Sequence, residues 1–177
     1  MREIELKFQV DNFDKIKSIL DDNNEKLSEE YHQSDTIYVS DLNDTESKEG
    51  SIWLRVRKVN DKIEMNLKKQ SAKKMESEEI EFEVSDYFLA NKFLSALGYK
   101  EWVQVNKKRV YSKYDDVNIC MDEVERLGYF IELELLIDEN DEKDYESILL
   151  DYAKKLGIDT DRRINSHYDT MISELDK

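Results

Sequence analysis

The first residues of the chain alternate strictly between apolar and polar side chains. Every second residue from Ile4 to Val10 is apolar, and the residues between them are charged or polar. A period of two places the two sets on opposite faces of an extended chain, so residues 3–10 are predicted to form a β-strand. Similar patterns predict seven further strands, near residues 29–40, 51–59, 62–69, 79–84, 99–113, 115–123 and 128–137.

Apolar residues spaced three or four positions apart predict helices between and after these strands. The first helix is predicted near residues 12–23. A second is expected to run from a cap at Ser85 or Asp86 to Leu97. The remaining two predicted helices lie near residues 141–156 and 162–174. Strands and helices together indicate an α+β fold.

The predicted elements follow the order strand, helix and three strands twice. Each repeat opens on the sequence Glu-Ile-Glu, at residues 3–5 and again at residues 79–81, which is an offset of 76 residues. No shift in composition and no linker divides the chain. Residues 1–177 are therefore predicted to form one domain with an internal duplication.

Charged side chains dominate the polar faces of the predicted strands. Like charges occur two residues apart, as in Glu132 and Glu134 or in Arg55 and Arg57. Residues two apart project from the same face of a strand, so each pair crowds like charge. One interpretation is a solvated sheet face with cross-strand ion pairs. The other is a charged interior, in which carboxylates bind a divalent cation and Arg and Lys side chains bind phosphate oxygens.

The second interpretation predicts a particular architecture. An antiparallel sheet of about eight strands would close into a barrel or tunnel with its charged face inside. The helices would then pack against the apolar outer face of the sheet. The alternation of apolar and charged residues would be explained by this arrangement, because each strand needs one face for the helices and one for the interior.

The composition limits what such an interior can bind. The net charge of −15 argues against a surface for nucleic acid or anionic membranes. Cys120 is the only cysteine and there are two histidines, so a bound metal would have to be Mg²⁺ or Mn²⁺ on carboxylates. The four glycines form no phosphate-binding loop, so side chains and metals would bind phosphates. Without a membrane-spanning apolar run or a signal pattern, a soluble cytoplasmic protein is expected.

Short charged motifs follow one another along the strands in a fixed order. The series opens with the ExExK sequence Glu3-Ile4-Glu5-Leu6-Lys7. It continues with Leu54-Arg55-Val56-Arg57, Asn66-Leu67-Lys68, Glu79-Ile80-Glu81, Lys107-Lys108-Arg109, the run from Met121 to Gly128 and the run from Phe130 to Glu134. Over nearly the whole chain this series resembles the CYTH superfamily, the triphosphate tunnel metalloenzymes. The segment from Asp122 to Glu134 and the tripeptide Ser166-His167-Tyr168 are similar to the class IV adenylyl cyclase branch.

The resemblance implies a role for each charged position. The residues expected to bind metal are Glu3, Glu5, Asp122, Glu132 and Glu134. Those expected to contact a triphosphate are Lys7, Arg55, Arg57, Lys68, Lys107 and Arg109. Lys7, Glu3 and Glu5 are expected to form the catalytic group. The expected cofactor is Mg²⁺ or Mn²⁺, the expected partner is ATP or a polyphosphate, and a homodimer is compatible with the resemblance.

The reaction remains open at this point. A class IV adenylyl cyclase-like enzyme would convert ATP to cyclic AMP and pyrophosphate, whereas an inorganic or organic (thiamine-type) triphosphatase would release orthophosphate. A non-catalytic nucleotide- or polyphosphate-binding protein is a third hypothesis, which the retained acidic set disfavours. Class IV cyclases often carry a His-Phe pair several residues before ExExK, and Met1 and Arg2 are not such a pair. We expect cyclase-like activity first and triphosphatase activity second.

Overall fold

The structure, a computed structural model, describes residues 2–43, 45, 48, 50–70, 77–138 and 143–177, and of residues 2, 3, 77 and 78 it describes the backbone only. Its elements are β1 Arg2–Val10, α1 Asp14–Asp22, β2 Tyr31–Val39, β3 Ile52–Val59, β4 Lys62–Gln70, β5 Ser77–Val84, α2 Tyr87–Ala96, β6 Lys100–Tyr114, β7 Val117–Val124, β8 Gly128–Ile137, α3 Tyr145–Lys155, a 3₁₀ turn Thr160–Arg162, β9 Arg163–Ile164 and α4 Tyr168–Leu175. The fold is α+β with mainly antiparallel strands, as predicted. None of the helices in these ranges is long and apolar enough to cross a membrane.

The chain forms two compact units, and this division cuts across the sequence repeats. Unit 1 comprises Met1–Tyr31 and Lys107–His167, and unit 2 comprises His32–Asn106 and Tyr168–Lys177. The first strand and helix of each repeat therefore belong to a unit with strands of the other repeat. Strand β6 begins in unit 2 and ends in unit 1. The single domain and the closed barrel expected from the sequence stay predictions.

Unit 1 has the strand order β6-β7-β8-β1-β9, and its described strand pairs are antiparallel. Helices α1 and α3 cover the apolar face of these strands. Leu20 of α1 and Leu149 of α3 are fully buried in one cluster with the strand residues Phe8 and Leu133. Burying one side chain of this kind contributes about 1.5–3 kcal/mol. The helices thus stabilise one face and leave the charged face of the strands for another use.

Unit 2 has the strand order β5-β4-β3-β2-β6, and helix α2 covers its apolar face. Ala90 and Leu94 of α2 pack in one buried cluster with Val56 of β3. Polar contacts join the helix to β2, where the hydroxyl of Tyr38 donates to the side-chain oxygen of Asn91 at 2.8 Å. Five charged residues of these strands lie on the opposite face from α2, as the alternation requires: Arg55, Arg57, Lys68, Glu79 and Glu81.

Local sequence sets the ends of several elements. The side chain of Asp86, one of the two predicted caps, accepts a hydrogen bond from the amide of Leu89 at the start of α2. Gly98 adopts a φ of +95° just after this helix, a conformation that residues with a side chain rarely adopt. Asn60 adopts a φ of 52° in the tight turn between β3 and β4.

The two C-terminal helices differ from their predictions. The helix predicted near residues 162–174 is wrong at its start, because Arg163–Ile164 forms β9 and α4 begins at Tyr168. Strand β9 pairs with β1 on the side away from β8, where it satisfies backbone groups that an edge strand would leave unpaired. Helix α3 begins at Tyr145, and residues 139–142, where its start was predicted, lie outside the described part.

Candidate active site

Three carboxylates converge on the polar face of unit 1. Glu5 on β1 lies opposite Glu134 on β8, and Glu132 projects from the same face of β8. One oxygen of each of these three side chains lies within 4.8 Å of the others. We call Glu5, Glu132 and Glu134 the carboxylate cluster. Its donors fit Mg²⁺ or Mn²⁺, because both are hard cations that prefer oxygen ligands.

Glu132 is the member of the carboxylate cluster with the strongest ion pairs. It is buried, it lies 3.2 Å from the ammonium of Lys7, and it accepts a hydrogen bond from Arg109. Burial by itself would raise the pKa of Glu132, but Lys107 together with the other two cations lowers that pKa to about 2. Glu132 is therefore ionised at neutral pH and presents a negative charge to any cation bound in the cluster.

Glu5 shows the opposite tendency. Burial raises the pKa of Glu5, the charge of Glu132 adds to the effect, and the pKa reaches about 7 although Lys7 lies 3.5 Å away. The side chain of Glu5 is still 35 % exposed, so solvent and ions can reach it. Adjacent carboxylates resist full ionisation, and a divalent cation would relieve the repulsion between them.

Asp122 is fully buried on β7 and is surrounded by cations. Its carboxylate accepts hydrogen bonds from Lys107 at 2.8 Å and from the Nε and Nη2 atoms of Arg109 at 2.6 Å. Burial would lower the pKa of Arg109, but the hydrogen bonds and charge of Asp122 raise it. The structure thus places Asp122 with the cations, beside the carboxylate cluster, and its role as a metal ligand stays a prediction.

Lys7 links the carboxylate cluster to the C-terminal segment of unit 1. Its buried ammonium lies near Glu5 and Glu132 and donates a hydrogen bond to the backbone carbonyl of Ser166 at 3.4 Å. The pairing of β9 with β1 brings this carbonyl to Lys7, since Ser166 lies only two residues after the end of β9. An ammonium group has three donors and suits a position among several oxygens. A phosphate oxygen near the cluster would therefore meet a cation at Lys7.

The polar face of unit 2 contains a second charged network, built around Arg57 on β3. The Nε and Nη2 atoms of Arg57 donate to the two carboxylate oxygens of Asp35 on β2, each at 2.8 Å. The side-chain amide of Gln33 donates to the same carboxylate at 3.1 Å. Two parallel hydrogen bonds fix the plane of a guanidinium group. Arg57 is therefore held in one orientation before any ligand binds.

Arg55 has a donor that is not used within the described part of the chain. Its Nε is buried and lacks a hydrogen-bond partner there, and its Nη2 lies 3.6 Å from a carboxylate oxygen of Glu81. Burial and the charge of Arg57 lower the pKa of Arg55. A buried donor without an acceptor is unfavourable, and an anionic ligand such as phosphate would satisfy it.

The acidic pair that opens the second repeat lies among amide and cationic groups. Lys68 lies 3.3 Å from Glu79, and the side-chain amide of Asn66 lies 3.3 Å from Glu79 and 3.5 Å from Glu81. Both glutamates are about half exposed. Glu79 is thus paired with Lys68, and Glu81 lies near Arg55. The carboxylates of unit 1 differ because they also lie close to one another.

The predicted site residues fall into two groups in the described structure. Those of unit 1 are Glu5, Lys7, Lys107, Arg109, Asp122, Glu132 and Glu134, and those of unit 2 are Arg55, Arg57 and Lys68. The side chain of Glu3 lies outside the described residues, and its backbone is opposite Leu136. The roles assigned to all these residues stay predictions.

Some polar residues of these networks, among them Gln33, Asp35 and Cys120, are not among the predicted site residues. Gln33 and Asp35 alternate along β2 on the face that meets Arg57. Cys120 lies on the polar face of β7, two residues before Asp122, with its sulfur 3.6 Å from a carboxylate oxygen of Glu134. Burial raises the pKa of the Cys120 thiol. Strand alternation is the sequence feature that could have identified these residues. Gln33 and Asp35 are two residues apart, as are Cys120 and Asp122, and residues two apart on a strand share a face.

The model of the CYTH domain family matches residues 1–168. The chain belongs to the CYTH family. The matched range includes every residue of the carboxylate cluster and every predicted phosphate-binding cation, from Lys7 to Arg109. The family predicted from the order of the charged motifs is thereby confirmed.

Relatives of similar length support this membership. A putative adenylate cyclase of Methanocaldococcus jannaschii is 30 % identical over 171 residues, which cover 95 % of this chain and 97 % of the relative. The structure of the PH1012 protein of Pyrococcus horikoshii has a TM-score of 0.78 and 28 % identity, covering 95 % of this chain and 98 % of the other. HpAC1 of Hippeastrum, described as a putative adenylyl cyclase with a dominant triphosphatase activity, has a TM-score of 0.66 and 15 % identity over 99 % and 95 % of the two chains. At that identity the likeness shows a shared fold.

Proposed function

We propose that this CYTH protein is a divalent-metal-dependent enzyme acting on a triphosphate, with class IV adenylyl cyclase-like activity on ATP as the first candidate. The observation that carries the proposal is the carboxylate cluster beside buried cations, in which Glu132 contacts both Lys7 and Arg109. A divalent cation on the carboxylates and phosphate oxygens on the cations would balance both sets of charge. The name of the Methanocaldococcus relative supports the cyclase candidate.

The residues proposed to hold the metal are those of the carboxylate cluster, with Glu3 and Asp122 added by the family resemblance. When bound there, Mg²⁺ or Mn²⁺ would supply positive charge that neutralises phosphate oxygens. The ionised state of Glu132 and the partial exposure of Glu5 suit such a site, because the first provides charge and the second provides access.

Lys7, Lys107 and Arg109 are the cations of unit 1 proposed to hold the phosphates. In the described contacts Arg109 uses its Nε and Nη2 atoms, which leaves Nη1 for a phosphate oxygen. Asp122 pairs with Lys107 and Arg109 and fixes their positions before substrate binds. Cations already in position need little reorganisation when negative charge develops on a leaving group. We infer that they stabilise the departing phosphate.

Arg55, Arg57 and Lys68 of unit 2 are also proposed to bind phosphate, as the family resemblance implies. The buried Nε of Arg55, which has no hydrogen-bond partner within the described residues, supports this role. The fixed plane of Arg57 supports it too, because a guanidinium group in a set orientation recognises phosphate through paired hydrogen bonds. Closure of the strands into a tunnel belongs to the same proposal.

In the cyclase reaction the 3′-hydroxyl oxygen of ATP attacks the α-phosphorus. A bond forms between that oxygen and the α-phosphorus, and the bond from the α-phosphorus to the oxygen that bridges to the β-phosphorus breaks. Pyrophosphate leaves with the bridging oxygen, and the hydroxyl proton is released to solvent. The part of the protein is to hold the phosphates extended and in line, and to stabilise the charge of the pyrophosphate.

A triphosphatase is the second candidate, because the same carboxylates and cations suit it. Water would attack the terminal phosphorus, and the bond from that phosphorus to its bridging oxygen would break. Orthophosphate would be released, the rest of the substrate would leave as a diphosphate with the bridging oxygen, and a proton of the water would pass to solvent. The Hippeastrum protein combines an adenylyl cyclase name with a dominant triphosphatase activity in this fold, so such a name is compatible with either reaction. A non-catalytic triphosphate binder is the third candidate, which the carboxylate cluster disfavours.

Product analysis separates these candidates. The purified chain is incubated with ATP, and separately with tripolyphosphate, in the presence of Mg²⁺ or Mn²⁺, and the products are resolved by chromatography. Cyclic AMP and pyrophosphate from ATP support the cyclase, whereas orthophosphate without cyclic AMP supports the triphosphatase. Tight binding without turnover under all these conditions would contradict the proposal that the protein is an enzyme.

A further inference from the structure

Tyr111 on β6 lies on the polar face of unit 1 among charged side chains. It is opposite Cys120 on β7, which in turn is opposite Glu132 on β8. Side chains of directly opposed residues project from the same face of a sheet, so Tyr111 belongs to the row that contains Glu132. Tyr111 is 36 % exposed, whereas Cys120 and Glu132 are buried. An aromatic surface is therefore open to solvent beside the buried charges of the proposed active site.

Hydrogen bonds at the hydroxyl and at the backbone hold Tyr111 in place. Its hydroxyl donates to the side-chain oxygen of Asn118 on β7 at 2.7 Å. Its backbone amide donates to the hydroxyl of Ser28 at 2.8 Å, and its carbonyl accepts from the amide of Ser28 at 2.8 Å. The ring is thus positioned before any ligand binds, and a preorganised side chain loses little conformational entropy on binding.

Asn118 presents a second recognition group beside the ring. It lies directly opposite Glu134 of the carboxylate cluster. Its side-chain oxygen accepts from Tyr111, and its side-chain NH₂ group makes no hydrogen bond within the described residues. An amide NH₂ group has two donors, and the bond from Tyr111 restricts the rotation of this amide. Asn118 therefore offers oriented donors one strand away from Glu134.

The spacing of these groups fits a triphosphate that carries an organic group. Arg109, one of the cations proposed to bind phosphate, is two residues before Tyr111 on the same face of β6, which is a distance of about 7 Å along the strand. An organic group attached to phosphates bound at Arg109 would therefore reach the ring of Tyr111. Inorganic tripolyphosphate has no such group and would leave the ring uncovered.

We propose that Tyr111 and Asn118 form a subsite for the nucleoside of a nucleoside triphosphate, an inference that rests on the function proposed above. The base would stack on the ring of Tyr111, because an aromatic side chain binds a base through its flat face. The NH₂ group of Asn118 would donate to an acceptor atom of the base or the ribose. The subsite is compatible with both reactions on ATP, because it binds a part of the substrate in which no bond breaks.

Steady-state kinetics with two substrates tests the subsite. KM and kcat are measured for ATP and for tripolyphosphate in the presence of Mg²⁺ or Mn²⁺. Tyr111→Ala should raise the KM for ATP about 10-fold, as expected for the loss of one stacked base, and should change the KM for tripolyphosphate less than about twofold. Tyr111→Trp retains an aromatic ring and should restore most of the affinity for ATP. Asn118→Ala should raise the KM for ATP about fivefold.

Tyr152→Phe is the matched control for Tyr111→Phe. Each variant removes a hydroxyl that donates to a side-chain oxygen at 2.7 Å, which belongs to Asn118 for Tyr111 and to Asp115 for Tyr152. Tyr152 lies on α3, which covers the apolar face of unit 1. Tyr111→Phe should raise the KM for ATP about threefold because the ring and the amide are no longer held. Tyr152→Phe should leave it unchanged, and circular dichroism establishes that the variants are folded.

Three outcomes would overturn the inference. A folded Tyr111→Ala variant with the wild-type KM for ATP would exclude stacking on this ring. An equal rise in KM for both substrates would show that Tyr111 acts on the triphosphate or on the fold. A wild-type chain that hydrolyses tripolyphosphate but neither binds nor converts ATP would remove the nucleoside subsite and leave the proposed triphosphate chemistry intact.

The proposed function can also fail separately. If the wild-type chain turns over neither substrate, the proposed enzymatic function is wrong. Calorimetric titration of the same variants with ATP and with tripolyphosphate then decides the subsite alone. A loss of affinity in Tyr111→Ala that is confined to ATP would support it, and equal affinities of the variant and the wild type for ATP would overturn it.

Discussion

The polar faces of the two units are built from strands of the same two repeats, yet cross-strand ion pairs on these faces differ in burial. In unit 1 the side chains of Lys7 and Glu132 are each 7 % exposed. In unit 2 the cross-strand pair of Lys68 and Glu79 is 41 % and 45 % exposed. Exposed ion pairs contribute little to stability or to binding because water screens them, whereas buried charges interact strongly. Ion pairs that look alike in the sequence therefore differ in strength according to their burial in the fold.

The register of the strands explains the difference. In unit 1 strand β1 lies beside β8, which places Glu5 opposite Glu134, so carboxylates converge. In unit 2 strand β5 lies beside β4, which places Glu81 opposite Asn66 and Glu79 opposite Lys68. In the first arrangement two carboxylates face each other, whereas in the second each carboxylate faces an amide or a cation. The converging carboxylates of unit 1 are therefore the part of the described structure that best matches the donor set of a divalent cation.

The test with the largest expected effect removes one charge from the carboxylate cluster. Glu132→Gln preserves the shape of the side chain but removes the negative charge proposed to hold the metal. We expect metal-dependent turnover of ATP or tripolyphosphate to fall at least about 100-fold. Product formation measured over a series of Mg²⁺ and Mn²⁺ concentrations checks this expectation.

The matched control is Glu83→Gln in unit 2. The carboxylate of Glu83 is 70 % exposed and pairs with the exposed Lys62 at 3.7 Å. Its turnover should stay within about twofold of the wild type, because an exposed pair contributes little. If folded Glu132→Gln were as active as Glu83→Gln, the metal site could not lie in the carboxylate cluster.

The second test examines the cations of unit 2. Arg57→Ala removes a guanidinium group that Asp35 holds in one orientation. Hydrogen bonds to a charged group contribute about 1.5–3 kcal/mol, so affinity for tripolyphosphate should fall about 10- to 100-fold. Calorimetric titration of both proteins with tripolyphosphate measures this change. Arg57→Lys retains the charge without the planar fork and should give an intermediate affinity. Wild-type affinity in Arg57→Ala would show that this face does not bind phosphate.

The third test compares buried and exposed ion pairs through stability. Asp35 is buried and has two hydrogen bonds to Arg57, so Asp35→Asn should lower the free energy of unfolding by about 2 kcal/mol. Glu83→Gln should change it by less than about 0.5 kcal/mol. Urea denaturation of the metal-free proteins measures both values. Equal losses in the two variants would remove the distinction between the pairs.

The smallest expected effect is a change in the pH dependence of stability. The pKa of Glu5 rises from an ordinary value of 4.5 to about 7 in the folded protein, so the folded state binds more protons than the unfolded state between these pH values. Glu5 therefore makes stability fall as pH rises through this window. Glu5→Gln does not titrate, and its stability relative to the wild type should improve from pH 4.5 to pH 7 and above. Urea denaturation with a chelator present tests this, and a difference that is the same at all pH values would be evidence against the proton on Glu5.

Much of the fold was predictable because alternation is a local property. The strict alternation from Ile4 to Val10 identified β1, and Asp86 was one of two residues expected to cap α2. Strand β9 was not predictable in this way. Arg163–Ile164 is too short to show a period, and it is a strand because the edge of β1 offers it backbone partners.

The candidate site was predictable to a lesser degree. The motifs that contain Glu5, Lys7 and Glu132 identified charged residues that the structure brings together. They did not indicate that Asp122 would pair with cations, or that Asp35 would fix the orientation of Arg57. Those contacts depend on which residues lie opposite each other in neighbouring strands. A shift of one residue in the register would have turned the same side chains to the other face.

The sequence by itself determined the family, the strand and helix content, and the composition of the charged faces, since these follow from local periodicity and from the order of motifs. Only the tertiary structure decided which carboxylates converge. The exchange of β1 and β5 between the repeats places Glu5 beside Glu134 and gives Glu81 an amide partner. The physical reason is that electrostatic energy depends on distance and burial, and both are set by strand pairing between residues far apart in the chain.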